Sequence, residues 1–377
     1  MITIKRVESD KDMNDFIRLN YELYKGNPYS VPDLAMDLKQ TFSARKNPAY
    51  RFCESQCFLA LDEKGQVVGR VAAIINHKAN EAWGNKRVRF GWIDFVDDET
   101  VSKTLLDAVE QWGRERGMTE IHGPLGFTDF DPEGMLVDGF DKISTMATIY
   151  NYPYYPKHIE LLGYEKDADW VEFKINIPEG IPDKMKRIAD LISRKYGLHI
   201  RKLKNMKEVR EGNYGKKIFD LVNEAYASLY GFSPLDEKQI NQYVDTYLPL
   251  LDLRMVTLVE DEADNLVAVG VSMPSVAKAL QKAKGKLFPF GWYHLLKALK
   301  FGRSETLELM IVGVKEEYRN KGVNSLLFVD LIPTYISMGF KDAESNPELE
   351  INDRVQAQWE YFETVQHKRR RAYKKNL

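Results

Sequence analysis

The six residues Arg319-Asn320-Lys321-Gly322-Val323-Asn324 follow a β-rich run, Thr306–Val314, and open an apolar run of helical length, Val323–Met338. A turn that enters a helix presents backbone N–H groups without intrahelical partners, and the helix dipole favours an anion there. Gly322 has no Cβ, so the backbone can approach a ligand closely. Arg319 and Lys321 add positive charge. The chemistry that fits is the binding of a phosphate-bearing molecule; the alternative is an exposed basic turn that opens a helix. Proton transfer has its own candidates. Glu308 stands on the preceding run, Glu344 and Glu350 stand at the end of the next one, and Tyr361 offers a hydroxyl. Each carboxylate could equally be solvated or cap a helix. Tyr150, Asn151, Tyr152, Tyr154 and Tyr155 form a dense aromatic patch. That patch suits either an acceptor pocket in a cleft or the core of a domain.

Elements that must position these residues can be read in order. The spacing predicts strands at Cys57–Leu61 and Val67–Ile75, joined by Asp62-Glu63-Lys64-Gly65 as a hairpin. A strand at Arg89–Val96, an amphipathic helix at Thr100–Gly117 and a strand at Glu120–Gly123 follow. The Pro/Gly cluster Ile177–Pro182 marks a boundary, after which the order repeats. Met255–Glu260 and Leu266–Met273 form a hairpin around Asp264-Asn265. Then come the strand Thr306–Val314, a helix Val323–Met338 closed by Gly339, a strand Phe340–Ser345, a helix Asn352–Thr364 and a final edge strand His367–Lys375. Ile93–Val96 matches Ile311–Val314, and Leu105-Leu106 matches Leu326-Leu327. The chain reads as one supersecondary unit used twice, in domains 1–180 and 181–377.

The order hairpin, strand, loop, helix, strand resembles the GNAT acyltransferase fold, and the whole chain resembles tandem GNAT proteins of bacteria. The likeness rests on Leu309-Met-Ile-Val-Gly-Val-Lys-Glu-Glu-Tyr-Arg-Asn-Lys-Gly-Val-Asn-Ser325 and the repeat itself. It is similar to the family's pyrophosphate pattern R/Q-x-x-G-x-G/A at every position but the last, where Asn324 stands. The resemblance implies a mixed α+β fold with two tandem domains. It implies an acyl-CoA, acetyl-CoA or a longer one, as cosubstrate, held by Arg319, Asn320, Lys321, Gly322, Val323, Asn324 and Ser325, with backbone N–H groups near Val312 and Val314 on the thioester oxygen. It implies acyl transfer directly to the amine of a small molecule or peptide. Glu308 would be the base if a bulge turns it to the right face, and Tyr361 the acid, since the position expected for that Tyr is Trp359. Tyr150, Asn151, Tyr154 and Tyr155 would line the acceptor site. Two other readings stand beside this one: an acyl-CoA-binding protein that has lost the chemistry, and a Fem-like aminoacyl transferase.

The repeat lets the two copies be compared. Where the second has Arg319, Lys321 and Gly322, the first has Asp97-Asp98-Glu99 and a shorter connection. Carboxylates there repel phosphate and cap a helix instead. The expectation is that only the second domain binds acyl-CoA.

Composition narrows the rest. Lys and Arg number 54 against 56 Asp and Glu, a net charge of −2, so no chain-wide field for nucleic acid exists. Cys53 and Cys57 suit neither a disulfide framework nor a usual zinc site, and six scattered histidines form no ligand motif, so no metal is expected. No run is long enough to span a membrane, and the start lacks a signal peptide, which points to the cytoplasm. The segment Lys278–Arg303 carries seven Lys or Arg and no Asp or Glu, with Phe288, Phe290, Trp292 and Tyr293. It fits a lid over substrate, peripheral contact with an anionic membrane, or a solvated amphipathic excursion.

Overall fold

The computed structural model describes residues 1–301 and 304–377, so Gly302 and Arg303 of the basic segment lie outside the described residues. The fold is mixed α/β. The chain divides into two compact units: Met1–Val171 with Ala277–His294 and Lys368–Leu377, and Glu172–Val276 with Leu295–His367.

From the N-terminus to Asn176 the strands are β1 (Thr3–Arg6), β2 (Cys53–Leu61), β3 (Val67–Asn76), β4 (Arg87–Phe95), β5 (Glu120–Gly123), β6 (Met135–Asp138) and β7 (Glu165–Asn176), with helices α1 (Asp10–Leu23), α2 (Ala35–Thr41), α3 (His77–Trp83), α4 (Glu99–Arg114) and α5 (Tyr154–Leu161). The rest of the chain adds β8 (His199–Arg201), β9 (Val256–Glu260), β10 (Leu266–Pro274), β11 (Thr306–Val314), β12 (Asp342–Glu344), β13 (Glu348–Leu349) and β14 (Thr364–Asn376). Its helices are α6 (Asp183–Tyr196), α7 (Met206–Glu211), α8 (Tyr214–Tyr226), α9 (Glu237–Tyr247), α10 (Ala277–Ala283), α11 (Gly291–Leu296), α12 (Asn324–Met338) and α13 (Asp353–Gln356).

The first unit orders its strands β1-β2-β3-β4-β5-β14, antiparallel except for β4 with β5. The second orders them β8-β9-β10-β11-β12-β7, antiparallel except for β11 with β12. The patterns match place for place, but the last place is filled by the strand from the other end of the sequence. Tyr373–Asn376 of β14 pairs with β5, and Lys174–Asn176 of β7 pairs with β12. The C-terminal strand is therefore not the solvated edge its charges suggested. Lys368 and Arg370 are buried. Arg369 and Arg371 reach Asp169 at 3.0 and 2.8 Å, and Lys375 reaches Glu110 at 2.9 Å. Those carboxylates are about 200 and 265 residues away in sequence, which hides them from local reading.

Hydrogen bonding also corrects the alignment of the copies by one residue. Parallel pairing ends at Arg89↔His122 in one and Glu308↔Glu344 in the other. The Val96 N–H donates to Val68 O, and the Lys315 N–H to Val267 O. Arg89 thus matches Glu308, and Val96 matches Lys315 rather than Val314.

In the second unit, Leu307 and Leu309 pack with Phe328, Leu331 and Tyr335 of α12. Val312 and Val314 pack with Ile192 of α6 and with Leu326 and Leu327. Odd-numbered residues thus give way to even-numbered ones on the same face. The cause is a bulge: Val271 pairs with Ile311 and Ser272 with Leu309, leaving Met310 unpaired. One extra residue reverses the two-residue alternation. The helix expected at Asn352–Thr364 is only α13 and a 3₁₀ turn, Ala357–Tyr361. Beyond it the chain is already extended, and the Asn176 N–H bonds Glu363 O at 2.9 Å.

Candidate functional site

The site is built where β11 parts from β12. The two strands pair at Thr306–Glu308, and the register stops there. Antiparallel alternation with β10 turns the amides of Val312 and Val314 away from β10, because Lys315 N–H is the one directed to Val267 O. On this open side Tyr226 Oη donates to Val312 O at 3.2 Å, and Asn346 Nδ2 donates to Met310 O at 2.6 Å. The carbonyls of Met310 and Val312 are thus engaged, while the amides of Val312 and Val314 face the gap.

The connection from β11 to α12 runs through Lys315, a 3₁₀ turn at Glu316–Tyr318, and Arg319–Val323. Asn320 and Gly322 are left-handed, with φ of 61° and 80°. A Cβ on Gly322 would press on Ile188 at 3.0 Å. Val323 is buried in the core, and Ser325 Oγ closes the turn on Gly322 O at 2.6 Å. The α12 N-terminus has no side-chain cap and no acidic residue in its first turn. Arg319 does not point to solvent: its Nη2 donates to Ala225 O at 2.6 Å, fastening the loop to the end of α8. Lys321 Nζ lies 4.8 Å over Tyr196 and 5.2 Å over Tyr318. Asn324, the residue that departs from the family pattern, turns its Nδ2 to Gln358 Oε1 at 3.2 Å.

The first unit treats the same place differently. Asp98 caps α4 by accepting from Thr100 N–H at 2.7 Å, and Glu99 follows in the first turn. The strand edge is filled from within. Tyr155 Oη accepts from Phe95 N–H at 3.2 Å, and Tyr154 Oη donates to Phe95 O at 2.6 Å. Phe95 matches Val314, so in the first unit these hydroxyls occupy the strand edge that stays open in the second. Tyr155 also donates to Asp94, which pairs with the buried Arg70 at 2.7 Å. Asn151 is buried and bonds both backbone groups of Leu136, and Tyr150 Oη donates to Phe140 O. The four residues read as an acceptor lining are packed and hydrogen-bonded in the core of the first unit.

Glu308 is 1% exposed, and its Oε1 accepts from Ser275 Oγ at 2.7 Å. The bulge on which its reading depended lies two residues on, at Met310. Glu344, its register partner, meets His367 at 3.2 Å. A further carboxylate escaped the sequence reading. Burial pushes Glu348 from 4.5 up to about 8, and both its oxygens accept from Trp359 Nε1, at 3.0 and 3.2 Å. Burial above all, and to a lesser degree the Glu348 charge, raise Tyr226, the residue bonded to Val312 O. Trp359 is thus a buried donor to a carboxylate. Tyr361 sits at the rim of that core with Lys184 Nζ 5.0 Å over its ring. Among the described residues, His199, Glu260 and Asp264 form a trio with metal-ligating atoms close together; it lies at β8 and β9, apart from these groups. Cys53 and Cys57 are free and buried.

No protein-family profile matches the chain. Across 100% of its length it superposes on 98% of a tandem GNAT protein from the clavulanic acid biosynthesis pathway, with a TM-score of 0.57 at 10% identity. A GCN5-related N-acetyltransferase from Sphaerobacter thermophilus gives 0.53 at 11% identity, over 100% of this chain and 95% of that one. These likenesses show the fold, which is the tandem GNAT fold. By sequence, 97% of the chain is 29% identical to 93% of Protein YghO of Escherichia coli K12. It is 27% identical over its full length to 98% of the bacterial ceramide synthase of Caulobacter vibrioides.

Proposed function

We propose that the protein is a CoA-dependent N-acyltransferase whose second unit binds the acyl-CoA. The observation that carries this is the contrast between two helix N-termini at matched places: α4 is closed by Asp98 and Glu99, whereas α12 is uncapped and entered through Gly322. An uncapped N-terminus with a close-approach glycine suits a pyrophosphate. Lys321 adds charge, and Arg319 holds the loop in place. The Val312 amide, on the open edge of β11, is the donor for the thioester oxygen as it gains charge. The amine nitrogen attacks the thioester carbon, the C–S bond breaks, and the thiolate leaves. An amine is an ammonium near neutral pH, so a base must take its proton first. Glu348 supports that role best, because a carboxyl at about 8 is matched to an amine. Glu308 is the competing base. The acceptor we favour is a long-chain lipid amine rather than a peptide. A full-length relative named for ceramide, the amide of a fatty acyl group with such an amine, supports this reading.

The test is thermal shift with acetyl-CoA and palmitoyl-CoA on wild type, Lys321→Glu and Gly322→Glu. Wild type should be stabilised by mass action and both variants far less. No stabilisation of wild type by either thioester would remove the reading. The second reading, a binder without chemistry, draws on Trp359 and Tyr361, neither of which offers a hydroxyl hydrogen-bonded into the β11 edge among the described residues. CoA thiol release with a long-chain amine separates the two.

A further inference from the structure

The segment Ala277–His294 of the first unit has a fixed base and an exposed aromatic tip. α10 buries Ala277, Ala279, Leu280 and Ala283. Gln281 Nε2 donates to Pro28 O and Ser30 O, each at 2.9 Å. The Ala35 N–H donates to Gly285 O at 2.9 Å, and a Cβ on Gly285 would meet the Tyr21 ring at 2.3 Å. Beyond this anchor the rings face water: Phe288 is 75% exposed, Phe290 71%, Tyr293 51% and Trp292 47%. The Trp292 indole N–H is held by Pro289 O at 2.9 Å. Four large rings facing water on one short loop are unusual without a partner.

Charge says which partner. Lys278, Lys282, Lys284 and Lys286 of the same segment are exposed, and among the described residues none of them forms an ion pair. No Asp or Glu occurs from Val276 to Phe301, and the chain continues after His294 with Lys297 and Lys300. Two copies meeting at this loop would bring lysine against lysine. An anionic bilayer instead supplies opposite charge for the ammonium groups and an apolar boundary for the rings.

We propose that Lys278–His294 docks the protein on anionic lipid bilayers, with Phe288, Phe290 and Trp292 entering the headgroup boundary and the lysines contacting anionic headgroups. The docking needs neither CoA nor amine, so it stands or falls apart from the acyl-transfer reading. The experiment is co-sedimentation with vesicles of phosphatidylcholine alone and of equal parts phosphatidylcholine and phosphatidylglycerol. The proteins are wild type, Phe288→Ser/Phe290→Ser/Trp292→Ser and Lys278→Gln/Lys282→Gln/Lys286→Gln, with circular dichroism to confirm folding. Wild type should sediment with the anionic vesicles and lose binding as salt rises. Each variant should bind at least about tenfold more weakly. Failure of wild type to sediment with anionic vesicles, or equal binding by folded variants, would overturn the proposal. So would a dimer that the aromatic variant dissociates while vesicle binding is absent.

Discussion

Burial places the Glu348 carboxyl at about 8, and its consequences can be signed. As a base it must be ionised, so kcat/KM should rise with pH through about 8 and level off above it. Glu348→Gln should lower the rate by about 10²–10⁴ and remove that limb, whereas Glu308→Gln should keep the limb if Glu348 is the base. A rate profile whose limb survives in Glu348→Gln would move the role to Glu308. Stability runs the other way. The folded pKa lies above the unfolded value of 4.5, so the folded state holds the extra proton between the two. Stability should fall as pH rises from about 4.5 to about 8 and then flatten. Gln should lessen that slope in urea titrations. Glu308 could be singled out in the sequence because it stands on the strand that leads to the glycine loop. Glu348 could not, because what marks it is burial beneath Trp359, which only tertiary packing creates.

At the level of elements, the hairpins and the strand–loop–helix run Thr306–Met338 were readable from two-residue alternation, turn residues and the closing Gly339. The bulge at Met310 was not, since nothing in Leu309-Met310-Ile311 distinguishes it from regular strand. The tyrosine patch was visible, but its address was not: whether Tyr154 and Tyr155 line a pocket or fill one depends on where α5 packs. That packing makes a prediction. Tyr155→Phe removes the hydroxyl that satisfies Phe95 N–H and should cost about 1–3 kcal/mol. Asp94→Ala leaves the Arg70 guanidinium buried without its carboxylate and should cost about 3–5 kcal/mol. Urea unfolding measures both. Stabilisation of the folded variants by acyl-CoA should match wild type, because these residues fill the first unit's edge. Loss of acyl-CoA binding in Tyr155→Phe would mean that the filled edge serves the ligand.

Over the whole molecule, a net charge of −2 conceals a local reversal. Asp97, Asp98 and Glu99 stand at the matched place of the loop that holds Lys315, Glu316, Glu317, Arg319 and Lys321, so the formal charge there is −3 in one copy and +1 in the other. The duplication was legible from order and spacing. The crosswise last strand was not, because strand pairing between Tyr373 and Gly123 leaves no local trace. Deleting Lys368–Leu377 should therefore unfold the first unit, exposing cleavage sites within residues 1–171 to limited proteolysis. The most direct measurement of the central claim is amide hydrogen exchange with and without palmitoyl-CoA. Binding at the Gly322 loop should slow exchange at Val312–Val314 and Arg319–Leu326 and leave Asp97–Ser102 unchanged. Protection at Asp97–Ser102, or none at the Gly322 loop, would contradict it.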